Sequence, residues 1–111
     1  MLNIDGDNNI KLTRGDTAYI TLEVTRDGEP YDFTNDQTKL TVKKDTKTNW
    51  VVFQKTFNGP TITIEPSDTE GLDYQTLKYD VQIITTSGEV FTVIEPRDFT
   101  IAEEVNFDVE N

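Results

Sequence analysis

A chain of 111 residues has the length of about one domain and can bury one apolar core without covalent staples. It holds neither cysteine nor histidine, which excludes disulfides, thiolate metal sites and thiol redox chemistry and removes the commonest general base. Its 21 acidic against 10 basic residues leave a formal charge of -11, which repels nucleic-acid phosphates and anionic membranes but allows a cationic partner surface.

Met1–Asp7 has neither the basic nor the apolar stretch of a signal peptide. No apolar run approaches the roughly 18 residues of a membrane-spanning helix. The chain is expected to be a single domain over 1–111, its ordered part at about 10–101 between acidic N- and C-terminal tails.

Threonine, valine, isoleucine, tyrosine and phenylalanine fill the regular stretches, which favours strands. Ala18–Thr25 alternates, with Ala18, Ile20, Leu22 and Val24 on one face and Tyr19, Thr21, Glu23 and Thr25 on the other. Asp27-Gly28 supplies a tight turn. Pro30–Thr34 reads as a bend that turns Tyr31 and Phe33 the same way.

Leu40–Lys44 is a strand with Leu40 and Val42 inward, and 45–49 is a polar loop. Trp50–Phe57 is the next strand, with Val51, Phe53 and Phe57 inward and Trp50 and Val52 outward; Asn58-Gly59-Pro60 ends it. Thr61–Ile64 follows with Ile62 and Ile64 inward. Pro66–Gly71 is the one helical turn, with proline in the first turn, Ser67 and Asp68 as capping types and a left-handed exit at Gly71.

Leu77–Ile84 turns Leu77, Tyr79, Val81 and Ile83 inward. Ser87-Gly88 marks a hairpin, Val90–Ile94 returns, and Pro96 forces a break or bulge before Phe99 and Ile101 resume the inward pattern. Val105, Phe107 and Val109 alternate once more at the C-terminus. About seven or eight short strands with regularly spaced turns and one short helical turn predict an all-β, immunoglobulin-like antiparallel sandwich.

Several segments, taken in order, resemble a phage protein family. They are Lys11-Leu12-Thr13-Arg14-Gly15-Asp16-Thr17, Asp27-Gly28-Glu29-Pro30-Tyr31-Asp32-Phe33-Thr34, Val42-Lys43-Lys44-Asp45 and Ile64-Glu65-Pro66-Ser67-Asp68-Thr69-Glu70-Gly71-Leu72. Tyr79-Asp80-Val81-Gln82 and Gly88-Glu89-Val90-Phe91-Thr92-Val93-Ile94 complete the set. Together they are similar to the small immunoglobulin-like domain of tailed-phage and prophage tail proteins, including the N-terminal domain of baseplate upper proteins. The resemblance implies a β-sandwich that assembles into a virion tail or baseplate after synthesis in the host cytoplasm. Its implied partners are other tail proteins or further copies of itself, and it carries over no catalytic residue and no cofactor.

The remaining motifs read as structure. Arg14-Gly15-Asp16 sits just before the most regular strand, where it makes a turn rather than a protruding adhesion loop. Asp5-Gly6-Asp7-Asn8-Asn9 begins like a calcium loop, but Ile10 and Asp16 stand where glycine and glutamate belong. Glu65, Asp68, Glu70 and Asp73 crowd the helical turn, where capping accounts for Asp68 and nothing fixes two carboxylates across a cleft. Glu103, Glu104, Asp108 and Glu110 read as a solvated tail. No metal ligand set and no enzyme chemistry follow from these residues.

The last hairpin suggests a surface. If Ser87-Gly88 is a two-residue turn, Ile84 faces Phe91 and Val81 faces Ile94, so Val81, Ile83, Val90 and Ile94 point inward. Ile84, Phe91 and Val93 then form an apolar patch on the outer face, with Trp50 and Val52 as a second outward pair. These five are the candidate interface residues, for self-association or for docking on a tail component; the alternative cover for the patch is the C-terminal tail through Val105 and Phe107. A cell-surface or glycan-binding module, with Trp50, Tyr19 and Phe91 as a stacking platform, is the competing function.

Overall fold

The computed structural model of the chain describes residues 1–103. Val105, Phe107 and Val109 of the expected final strand, and Glu104, Asp108 and Glu110, lie outside the described residues.

The chain is all-β. The ten strands of the described residues are β1 (Leu2–Ile4), β2 (Ile10–Thr13), β3 (Ala18–Thr21), β4 (Thr25–Arg26), β5 (Glu29–Pro30), β6 (Gln37–Lys43), β7 (Val51–Asn58), β8 (Thr61–Ile64), β9 (Gln75–Ile84) and β10 (Val90–Ala102). One helical turn, α1 (Pro66–Thr69), joins β8 to β9. Six strands form one sheet in the order β1-β2-β10-β9-β6-β7; β3 pairs β8 in a second sheet, and β4 pairs β5 in a small hairpin.

The core lies between the two layers. From the large sheet it takes Ile10, Leu12, Leu40, Val42, Leu77, Tyr79, Val81, Phe99 and Ile101, and from the small one Ala18, Ile62 and Ile64. Alternation explains this division: the buried positions of β6 and β9 fall on every second residue, so one pleated face stays dry. Phe99 is the hub, with edge-on ring contacts to Phe53 and Tyr79 at 6.0 Å each.

Four local expectations are corrected. The sheet is mixed, because β2 runs parallel to β10 with Phe99 opposite Ile10 and Ala102 opposite Thr13. This pairing joins segments far apart in the chain, where no hairpin turn announces direction. The expected strand Ala18–Thr25 is split: β3 ends at Thr21, and although the Leu22 amide still donates to the Pro60 carbonyl at 2.9 Å, proline has no donor to return.

Along β7, Phe53 stands opposite Val42 and Val51 opposite Lys43, so Val52 is an extra residue in the ladder. That bulge resets the alternation: Val51 is exposed, whereas Val52 packs against the core beside Phe53. Finally, Gly71 does not take positive φ, unlike Gly15, Gly28, Gly59 and Gly88. The helical turn closes instead through the Glu70 amide on Pro66 and the Leu72 amide on Thr69. At its start Asp68 Oδ2 accepts both the Glu65 amide at 2.8 Å and Lys55 Nζ at 2.6 Å.

Candidate functional site

The two layers differ greatly in width. Six strands at roughly 4.8 Å spacing span about 24 Å, whereas β3 and β8 span about 5 Å. Because β8 packs nearest β6 and β7, β3 lies toward β10, and among the described residues nothing pairs with its other edge. On the opposite wall β2 pairs β10 only from Phe99 onward, so among the described residues the stretch from Val90 to Pro96 has β9 as its one strand neighbour. The sandwich is therefore open along this side.

A groove of about 360 Å³ fills that opening, with Ile20, Leu22 and Val24 on one wall, Val93, Ile94 and Tyr79 on the other, and the polar Asn8, Thr21 and Glu23 among them. A second hollow of about 250 Å³ shares Val24 and Val93 with it and extends it to Tyr31, Ile83 and Phe91. The hairpin β9–β10 places Phe91 there. Thr85 and Glu89 close the ladder, with the Thr85 amide donating to the Glu89 carbonyl at 2.9 Å, and Gly88 takes φ 89°. Thr86, Ser87 and Gly88 thus make a three-residue loop rather than a two-residue turn, a turn followed by a left-handed glycine.

The register is consequently one residue away from the expected one: Ile84 faces Val90 and Ile83 faces Phe91. Directly opposed residues point to the same face, so Phe91 follows the buried Ile83 inward and Val90 goes outward with Ile84. A register shift between Thr92 and Ile94 makes Val93 the extra residue, and both Val93 and Ile94 lean on the core.

Neither the expected outer patch of Ile84, Phe91 and Val93 nor the expected outward pair of Trp50 and Val52 therefore forms as a unit. Phe91 and Val93 line the groove; Ile84 remains on the outer face with Val90; Val52 packs toward the core; and Trp50, 61% exposed, stands at the other end of the sheet beside Leu72 and Gln75. Lys44 Nζ lies 4.6 Å from the centroid of the Trp50 ring and occupies one of its faces, which leaves less of it for a sugar to stack on. The alternation in 18–25 already singled out Ile20, Leu22 and Val24 as apolar, but which neighbour they lack is a property of topology.

Polar groups frame the groove. At one end Tyr31 donates to the buried Asp36 carboxylate at 2.5 Å, and this bond, with burial and the nearby Asp36 and Glu89 charges, holds the Tyr31 phenol above its ordinary range. Arg26 lines the same end. At the other end Tyr79 donates to the Asn8 carbonyl at 2.5 Å, and burial pushes its phenol up to about 12. Arg97 there is tied to the carbonyls of Asp7 and Pro96.

The other motifs settle into structure. The Arg14 amide donates to Ala102, the Gly15 amide to Thr69 Oγ1 at 2.8 Å, and Asp16 pairs with the N-terminal ammonium, so the tripeptide is a tied turn. Asp5 folds its own loop by accepting the Asp7 and Asn9 amides at 2.9 Å each, which holds its carboxyl below the usual range. Among the described residues no group of three or more acidic, histidine or cysteine side chains is placed to hold a metal ion.

A family model described as the BppU N-terminal domain matches residues 3–106. No curated protein and no solved structure matches the chain.

Proposed function

Because the chain belongs to the BppU N-terminal domain family of phage baseplate proteins, we propose that it is a non-catalytic docking subunit of a phage or prophage tail, assembled into the virion through protein–protein contacts. The observation that supports this best is the open side of the sandwich. A core of this quality ordinarily closes over its apolar residues, whereas here Phe91 stays 41% exposed beside Val93 and Val24. The layered strand arrangement is read as the immunoglobulin-like form that the sequence resemblance implies. Of the candidate interface residues, Phe91 and Val93 belong to the docking surface in this reading; Ile84 and Trp50 are assigned to secondary contacts, and Val52 to packing. Partners are other tail or baseplate proteins, and synthesis takes place in the host cytoplasm.

Gold-labelled antibody against the chain tests the proposal on particles of the phage that encodes it. Label at the tail end of purified virions is the expected result. Unlabelled virions, with all of the chain free in the lysate, would overturn it. A glycan array supplies the contrast: binding that disappears in Trp50→Ala would favour the surface-ligand function instead.

A further inference from the structure

We propose that the groove between β3 and β10 receives an extended segment of a partner protein, which adds as a third strand to the edge of β3 that is unpaired among the described residues and carries alternating apolar side chains flanked by lysine or arginine. The proposal deepens the docking function above and rests on it.

The backbone carries the first part of the argument. The Leu22 amide donates to Pro60, and β3 pairs β8 with Ala18 opposite Ile64 and Ile20 opposite Ile62. Amides alternate in direction along a strand, so those of Ala18 and Ile20 also point at β8 and those of Tyr19, Thr21 and Glu23 point away, over the groove. An extended segment laid along this edge would satisfy them, as in strand addition at other sheet edges. The facing edge of β10 is a poorer template, because Pro96 lacks a donor and two register shifts interrupt its ladder.

The side chains supply the second part. A strand beside β3 would direct every second residue into the groove, onto Ile20, Val93 and Ile94, which are packed against the core but only partly buried. Small or branched apolar residues at alternate positions suit those walls. Strand addition would bring the small layer to three strands and cover the part of the large sheet that β3 and β8 leave bare.

Charge selects the flanks. Glu23 lines the groove; Asp36 accepts the Tyr31 hydroxyl at one end, where Glu89 closes the β9–β10 hairpin, and Asp5 folds the loop whose Asn8 carbonyl accepts from Tyr79 at the other. Against these four carboxylates stand Arg26 and Arg97, the latter engaged by two backbone carbonyls. The rim is net negative on a chain of charge -11, so a segment with cationic ends is favoured over a neutral or acidic one.

The experiment uses the full chain and three synthetic peptides: Lys-Lys-Val-Thr-Val-Thr-Val-Lys-Lys, the same peptide with glutamate for each lysine, and the lysine form with its central valine replaced by proline. Calorimetric titration gives affinities, and residue-resolved hydrogen exchange locates the contact. The expected result is binding of the first peptide at least tenfold tighter than either of the others, weakened by salt, with new protection at the Tyr19 and Thr21 amides. Ile20→Glu and Val93→Glu, on opposite walls, should each reduce affinity at least tenfold while protection in Leu77–Ile83 shows the fold intact.

Equal affinity for the glutamate peptide, no binding of the lysine peptide, or protection only elsewhere would overturn the proposal. So would Tyr19 and Thr21 amides that are already protected without peptide: released by Phe107→Glu, they would assign the groove to the chain's own C-terminus, and protected only at high concentration, to a second copy. Virion labelling is independent of all these outcomes, so failure of the groove and failure of the tail assignment are distinguishable.

Discussion

Phe91 stands directly opposite Ile83 in the β9–β10 ladder, yet Ile83 is 1% exposed and Phe91 41%. The pair shares a face and lines the same hollow, but Ile83 is covered there and Phe91 is not. Their contributions to stability should separate accordingly. Ile83→Ala is expected to cost about 2–4 kcal/mol, because it removes buried methyl groups and leaves a cavity. Phe91→Ala should cost about 1 kcal/mol or less, since much of that ring is already in water. Urea unfolding of both variants checks this. Similar costs would mean that the groove is closed in solution.

The same pair shows what the sequence made legible. Alternation placed Leu77, Tyr79, Val81 and Ile83 inward, and all four are buried. It did the same for Leu40 with Val42 and for Ile62 with Ile64. In each case the strand is uninterrupted, so a period of two carries through. Phe91, Val93, Val51 and Val52 were apolar in plain view but assigned to the wrong side. Each depends on one residue of register: the extra loop residue before Val90, or the bulges at Val93 and Val52. One inserted residue reverses every assignment beyond it, and composition carries no mark of where the insertion falls. The groove was less legible still, because it exists where β3 has no second neighbour among the described residues, and the parallel pairing of β2 with β10 comes from segments remote in the chain.

Backbone conformation separates two glycines of similar exposure. Gly88 sits at φ 89° in the hairpin loop with nothing within 4 Å of where a Cβ would be, so any penalty for adding one is conformational rather than steric crowding. Gly88→Ala is expected to destabilise by about 1–2 kcal/mol. Gly71 has equally open surroundings without positive φ. Gly71→Ala should therefore be neutral or stabilise by up to about 1 kcal/mol, through the lower entropy of the unfolded chain. Thermal unfolding of the two variants should shift in opposite directions or leave Gly71→Ala unchanged. A larger loss at Gly71 than at Gly88 would contradict the assigned loop.

Tyr79 gives the fold an alkaline limit. Burial is the main cause that raises its phenol to about 12; Arg97 opposes the rise and Asp5 adds to it. In the unfolded chain a tyrosine ionises near 10. The folded state therefore holds the proton over an interval in which the unfolded state has released it. The resulting stability is fully present below pH 10 and is lost as pH rises from about 10 to about 12. At about 1.4 kcal/mol per pH unit, the loss amounts to roughly 2–3 kcal/mol. Tyr79→Phe removes this dependence but also removes the bond to the Asn8 carbonyl, at a cost of about 1 kcal/mol near neutral pH. The stability curves of wild type and Tyr79→Phe, measured by urea unfolding from pH 7 to 12, should therefore cross between pH 10 and 12, with the variant less stable below the crossing and more stable above it. Parallel curves would show that the phenol is hydrated in the folded protein, and that water enters the groove as deep as the core hub at Phe99.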